Sequence, residues 1–400
     1  MCEVAPLLSI EEAQRRILER AQPLETERVR LDEAAGRMTA EPAAAGLDLP
    51  PFDSSAMDGF AVRSADTPGR LPVVARIPAG RPADRELAAG EAMGIATGGA
   101  VPEGADAVIP LEDVVDGDNE IEIGTGVQAG ANVRPSGGDV RRGDLVVAQG
   151  ERLGPAQLGA LAASGLAEIL CSQRPRAAVL ATGTELRRPG EELAPGEIYE
   201  ANGVLLSAQL ESAGACAHRL EAVADDEGAH SNALAMGLQS DLLVTSGGVS
   251  VGPHDLVRSV GADLGVEEIF WGVSVKPGKP LWFGVRGRTL VFGLPGNPVS
   301  TLVCFELFVR PAVLALQGAT SLLPRFEPGL LARAVRANPS RTELVRARSS
   351  VADGGVELDV LTGQESHMIA RAAGADALVI IPAGAGDLPA GATVSYLRLA

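Results

Sequence analysis

The run DLLVTSGGVSVGPHD, Asp241 to Asp255, decides the fold class. Asp241 to Thr245 is a short apolar stretch of strand-forming residues. Ser246-Gly247-Gly248-Val249-Ser250-Val251-Gly252 is a polar, glycine-rich turn, and His254 to Leu264 has helical spacing. The same order recurs on either side. Ala177 to Ala181 leads through Thr182-Gly183-Thr184-Glu185 to a predicted helix at Ile198 to Ala213. Leu220 to Val223 leads through Asp225-Asp226-Glu227 to a helix ending at Leu238. Thr289 to Phe292 leads through Leu294-Pro295-Gly296 to Asn297, which caps a helix opened by Pro298 and running to Leu316. Glu267 to Val275 and Leu281 to Val285 add strands. Strands alternating with helices predict an α/β domain with a parallel sheet covered on both faces. Ligand crevices in such sheets lie at the carboxyl ends of the strands, where these four loops converge.

Outside this segment the pattern changes. Ser9 with Glu12 forms a capping box that opens a first helix, and Arg152 to Leu170 has a helical period through Leu153, Leu158, Leu161 and Leu166. The two helices are expected to pack together, bracketing Pro50 to Val140. That interval is dense in Gly and Pro, with short apolar runs at Leu71 to Ala75, Ala107 to Ile109 and Glu120 to Ile123, and it reads as an inserted β domain. After Pro324, short strands separated by turns at Asn338-Pro339, Asp353-Gly354-Gly355 and Ala383 to Gly386 form a second small β domain.

Composition removes several classes of function. A chain of 400 residues with 46% apolar and 22% charged residues is globular and multidomain. Its net charge of −18, with eight Phe, two Trp and two Tyr, supplies neither a basic footprint nor stacking platforms, so no nucleic-acid partner is expected. Cys2, Cys171, Cys216 and Cys304 lie far apart with no CxxC pair, against a disulfide framework or a zinc site. No uninterrupted run of about 18 apolar residues occurs, so no membrane span is expected. Glu3 and the lack of a cationic leader lead to the expectation of a cytoplasmic protein.

The loops carry the chemistry. Gly247, Gly248 and Gly252 let backbone amides approach an anion, with Ser246, Ser250, Thr182 and Gly183 beside them, although glycine spacing alone equally fits a tight strand-to-helix turn with no ligand. Glu185, Asp225 and Asp255 stand in these loops or at the start of the next helix, an oxygen donor set suited to Mg²⁺. Taken singly, each acid is an ordinary cap or solvated side chain, and their convergence is what points to a site. Lys276 and Lys279 in KPGKP are the only lysines among 34 cationic side chains, which points to point charges for an oxyanion over the alternative of a solvated surface turn. Arg134, Arg141 and Arg142 surround Gly137-Gly138-Asp139 in the β domain. No Ser, Cys or His stands in an activated arrangement. The residues describe positioned group transfer on an anionic, phosphorylated ligand.

PPFDSSAMDGFAVR (Pro50 to Arg63), ATGGAVPEGADAVI (Ala96 to Ile109), ATGTEL (Ala181 to Leu186), SGGVSVGPHD (Ser246 to Asp255), KPGKP (Lys276 to Pro280) and GLPGNPVS (Gly293 to Ser300) occur in this order. With these six motifs the chain resembles the molybdopterin molybdenumtransferase family, which includes bacterial MoeA and the gephyrin E domain. The resemblance implies four domains. These are an elongated helix-containing domain (1–45 and 141–172), an inserted β domain (46–140), a molybdopterin-binding α/β domain (173–322) and a C-terminal β barrel (323–400). It implies Mg²⁺-dependent insertion of molybdate into adenylylated molybdopterin with release of AMP. It also implies a homodimer with a shared active-site cleft, fed by an upstream molybdopterin adenylyltransferase. By matching position, Asp58 and Thr97 become cleft residues supplied by the partner subunit, and Arg134 and Asp139 match an NxRxxGxD segment. Glu185, Asp225 and Asp255 match residues of cation binding and catalysis, and Lys276 and Lys279 match the anion-binding lysines. Asn297, flanked by Pro295 and Pro298, shapes the last loop, and Ser366-His367 borders the cleft. Thr184, Glu200 and Gly272 depart from the acidic residue, Asp and Lys common at these positions. The alternatives are a molybdopterin adenylyltransferase and a non-enzymatic cofactor carrier or scaffold.

Overall fold

The computed structural model describes residues 7–224, 226–249, 256–352 and 354–399. Asp225, Ser250, Val251, Gly252, His254, Asp255 and Asp353, together with Cys2 and Glu3, lie outside the described residues.

Ser9 caps helix α1 (Ile10–Leu18), its hydroxyl accepting from the Glu12 amide at 3.1 Å, as the capping box predicts. A second helix, α2 (Pro155–Ala163), is shorter than the leucine spacing suggested. The segment Glu168–Ser172 is a strand instead, paired antiparallel with Thr26–Arg30. Ile169 and Cys171 of that strand are buried with Leu153 and Leu161, so burial by a long-range partner overrides the local helical period. The first helix does not pack on α2. Ile10, Ala13 and Ile17 are built into the main core of the α/β domain, where the Gln14 side chain donates to the Leu307 carbonyl at 2.9 Å.

The central sheet has six strands: β1 (Arg176–Ala181), β2 (Cys216–Arg219), β3 (Leu242–Ser246), β4 (Glu267–Trp271), β5 (Trp282–Arg286) and β6 (Thr289–Leu294). Their order is β2-β1-β3-β6-β5-β4. The first four are parallel, as expected, but β5 pairs antiparallel with both β6 and β4. The sheet is therefore mixed, because the two-residue connection Gly287-Arg288 is a hairpin and too short for a crossover. The predicted strand at Leu220 to Val223 lies four residues earlier, at β2, and Val223 keeps only an isolated bridge to Thr182. The predicted strand Glu267 to Val275 is split into β4 and a separate pair, Val275–Lys276.

Alternation along β1 and β3 divides the core. Ala177, Val179, Leu242 and Val244 face α1, α3 (Asn202–Ser212) and α6 (Pro298–Leu316). Ala178, Leu180 and Leu243 face α4 (Glu227–Gly237) and α5 (Leu256–Asp263). Helix α3 starts four residues later than its sequence pattern suggested, because Ile198–Tyr199 pairs with Leu186–Arg187. Helix α6 contains a π-helical segment at Phe305–Val309. By length and composition alone it could cross a membrane, yet 83% of its apolar window is buried inside the protein, as in a core helix.

The inserted region forms a six-stranded sheet that includes Gly59–Val62, Ala92–Ile95 and Ala107–Pro110, with Glu120–Ile123 where the sequence placed it. The C-terminal region closes into a five-stranded barrel when Thr342–Ala352 pairs with both Gly355–Val360 and Ala377–Ile381. Leu344, Leu378 and Leu397 of the barrel join the same core as α1 and α6, so the barrel is seated on the α/β domain.

Candidate active site

A cavity of about 580 Å³ opens at the carboxyl ends of the parallel strands. Of the expected residues, Thr182, Glu185, Ser246, Gly248, Pro295, Asn297 and Pro298 line it. Hydrogen bonds knit the loops together. The Thr182 amide donates to the Ser246 carbonyl at 2.9 Å, and the Gly247 amide donates to the Leu294 carbonyl at 3.1 Å. The Gly247 amide is thus engaged by protein, and among the described residues no backbone acceptor faces the amides of Gly248 and Val249. Of the oxyanion cradle read from the sequence, those two amides stand open among the described residues, and Gly252 lies outside them. Gly247 has φ +92°, and a Cβ there would lie 2.5 Å from the Thr182 carbonyl oxygen, so no larger residue fits without moving backbone.

Asn202, at the start of α3, joins two of these loops. Its Nδ2 donates to Ser246 Oγ at 2.7 Å and to the Gly296 carbonyl at 2.7 Å, while its Oδ1 is buried without a partner. The sequence pattern gives Asn202 no role, although it falls within the predicted helix Ile198 to Ala213, two residues after Glu200. Asn297 does not cap α6 with its side chain. Its Nδ2 donates instead to Ser366 Oγ at 2.8 Å, and the Ser366 carbonyl accepts from the Val299 amide at 3.0 Å. These bonds bring the barrel loop to the cavity, where His367 and Ile369 form a wall. That loop is shaped by Arg346, which is 1% exposed and donates to the carbonyls of Met368 and Gly363 at 2.7 Å each.

Glu185 is exposed at the cavity and makes no ion pair with any described residue. Among the described residues no three acidic, His or Cys side chains cluster as a metal site, and Asp225 and Asp255 lie outside them. The two lysines have different surroundings. Lys276 is paired with Glu343 of the barrel at 2.6 Å, because Val275–Lys276 pairs parallel with the start of the strand Thr342–Ala352 and sets the two residues opposite each other. Lys279 is exposed, has no ion pair among the described residues, and adjoins Pro280, which lines the cavity.

Asp58, Thr97, Arg134 and Asp139 belong to the inserted domain, and none of them lines this cavity. Asp58 Oδ1 accepts from the Thr97 amide at 2.7 Å and from Thr97 Oγ1 at 3.1 Å, and the amide bond holds its carboxyl below its ordinary value. Arg134 pairs with Ser54 in a two-residue strand, and the Asp139 amide donates to the Leu49 carbonyl. No hydrogen bond or ion pair between described residues links this patch to the cavity within one chain.

Two of the three departures have local reasons. Glu200 accepts from the Gly203 amide at 2.6 Å and so serves the first turn of α3. Gly272 has φ +92°, and a Cβ there would meet Leu7 Cδ2 at 2.7 Å, a position closed to lysine without strain. Nothing in the structure explains Thr184.

Three family models cover nearly the whole chain. These are the MoeA N-terminal region (domain I and II) at residues 8–165, the probable molybdopterin binding domain at 178–315 and the MoeA C-terminal region (domain IV) at 328–399. The molybdopterin molybdenumtransferase of Haemophilus influenzae is 35% identical over 97% of this chain and 98% of its own length. The chain belongs to the molybdopterin molybdenumtransferase family. Molybdopterin molybdenumtransferase 2 of Mycobacterium tuberculosis is 40% identical over 78% of this chain and 80% of its own. A solved molybdopterin biosynthesis MoeA protein from Pyrococcus horikoshii OT3 matches with a TM-score of 0.84 and 28% identity, covering 98% of this chain and 100% of that one. Like the molybdopterin molybdenumtransferases it matches, the chain is a transferase of molybdenum cofactor biosynthesis, and its work is molybdenum insertion.

Proposed function

We propose that this enzyme inserts molybdate into the dithiolene of adenylylated molybdopterin in a Mg²⁺-dependent reaction that releases AMP. The observation that carries this reading is the cavity itself, where the Glu185 carboxylate, two amides free of backbone acceptors and the mouth near Lys279 meet at the carboxyl ends of the strands. Mg²⁺ takes hard oxygen donors, and the Glu185 carboxylate, with no cationic partner among the described residues, fits that requirement. Glu185, Asp225 and Asp255 would hold the ion, which when bound supplies charge neutralisation at the phosphates. The chain's own residues position the rest. The amides of Gly248 and Val249 and the Lys279 ammonium receive oxyanion charge, Asn202 fixes the loops against each other, and Pro295 and Pro298 stiffen the last of them.

The same reading includes a homodimer. The Asp58 patch, with Phe52, Met57 and Leu111 exposed beside it, would complete the cleft of the partner subunit, and among the described residues no polar link ties it to the cavity of its own chain. It also includes an upstream molybdopterin adenylyltransferase as the source of substrate, a cytoplasmic location and the four-domain division at residues 45/46, 140/141, 172/173 and 322/323. Separate hydrophobic cores support that division in its broad outline, except that α1 is built into the α/β core. The test is AMP release from purified protein with adenylylated molybdopterin and Mg²⁺, titrated with molybdate and with tungstate. Oxyanion-dependent release in wild type, and its loss in a folded Glu185→Gln variant, are expected. Substrate binding without AMP release would overturn the reading in favour of a carrier, and ATP consumption would favour an adenylyltransferase.

A further inference from the structure

The glycine-rich loop after β3 is held from outside the cavity by the edge strand β4. The Trp271 indole N–H donates to the Val249 carbonyl at 3.0 Å. The Val249 side chain, 2% exposed, is seated in the core that contains Trp282, and a Cβ on Gly293 would lie 2.5 Å from its Cγ1. Helix α5, on the far side of residues 250–255, is fixed to the same strand. Arg258 donates to both oxygens of Glu268, at 2.9 to 3.1 Å, and its guanidinium lies 5.6 Å from the centre of the Trp271 ring. Trp282 Nε1 donates to Glu268 Oε2 at 2.9 Å. One strand therefore braces Val249, which lines the cavity, and the helix that follows it.

We propose that Trp271 is a positioning residue for the glycine-rich loop, fixing the outgoing peptide of Val249 so that Gly248 and Val249 keep their place against the ligand. It touches no substrate and acts through the loop. Gly247 and Gly248, both at positive φ, give this segment more conformations than a loop of other residues would have, and an external hydrogen bond selects among them. The Arg258 guanidinium over the ring restrains the indole that carries the donor.

The test compares wild type with Trp271→Phe, which keeps a ring for Arg258 and removes the N–H. The kinetic arm rests on the proposed function; the exchange arm does not. Hydrogen exchange is expected to rise at the Gly247 amide, which the Leu294 carbonyl protects, and to stay unchanged in β1 and β6. KM for the pterin substrate is expected to rise about threefold to tenfold, the span of one lost hydrogen bond, with a smaller change in kcat. Arg258→Gln, at a partly exposed position, is expected to give the same pattern more weakly, and it serves if Trp271→Phe does not fold. Unchanged exchange in the loop would overturn the proposal. A rise in exchange across the whole sheet, with kcat and thermal midpoint falling together, would also overturn it, since it would make Trp271 a core residue only. Absence of turnover in wild type would count against the function and leave the exchange result to decide this point.

Discussion

Asn202→Ala removes a brace whose worth can be worked out from the structure. Two hydrogen bonds disappear, to Ser246 Oγ and to the Gly296 carbonyl, each 2.7 Å long. A hydrogen bond of this kind contributes about 0.5–1.5 kcal/mol net, so the pair contributes about 1–3 kcal/mol. Two features move the figure toward the lower end. Gly296 is exposed, so water can replace one donor, and the buried Asn202 Oδ1 already lacks a partner, so its loss relieves a cost. With about 1–2 kcal/mol of loop positioning lost, kcat/KM for AMP release should fall roughly 5-fold to 30-fold. Asn202→Asp sharpens the test. A carboxylate in the first turn of α3 favours the helix, yet it sets an acceptor against the Gly296 carbonyl, so the two effects oppose each other. If the brace matters, Asp is worse than Ala in kcat/KM while α3 is at least as stable. Both variants within twofold of wild type, or Asp more active than Ala, would refute the reasoning.

The two lysines should separate. Lys279→Ala is expected to raise the molybdate concentration for half-maximal AMP release by about tenfold, the scale of one charge-assisted contact, whereas Lys276→Met should lower the thermal midpoint by leaving the largely buried Glu343 without its cation. Gly272→Lys, which restores the common family residue, should destabilise the protein by about 1–2 kcal/mol through its left-handed backbone and contact with Leu7, measurable as a lowered unfolding midpoint, with no gain in molybdate affinity. The Asp58 carboxyl is held below its ordinary 3.8 by the Thr97 amide, so its contribution is full above that value and is lost as pH falls through the lower folded value. Acid unfolding followed from pH 6 to pH 2 should therefore show Asp58→Asn losing its difference from wild type only below about pH 4.

Much of the fold was legible because burial and chain order coincide in it. Leu242–Ser246 is buried at every residue and is followed by glycines, so both strand and loop stand out. Glu120–Ile123 alternates strictly and was placed without error. Cys216–Arg219 was missed because it is an edge strand whose mostly exposed side chains carry no apolar signal, and the more apolar Leu220 to Val223 drew the assignment forward. Thr26–Arg30 has the same character and depends on a partner more than a hundred residues away. At the site, glycines, prolines and the exposed Glu185 could be read directly. The pairing of Lys276 with Glu343 could not, since it follows from the register of a barrel strand 67 residues later. Asn202 drew no role because an amide that bridges two loops has no pattern in one dimension.

Ser366 accepts from both the side chain of Asn297 and the backbone of Val299, and the loop it belongs to supplies His367 and Ile369 as one side of the cavity. The volume open to a ligand is accordingly set by how two separately folded parts of the chain meet. An exchange of barrels between relatives, leaving every residue of the α/β loops untouched, would redraw the shape of the substrate that fits.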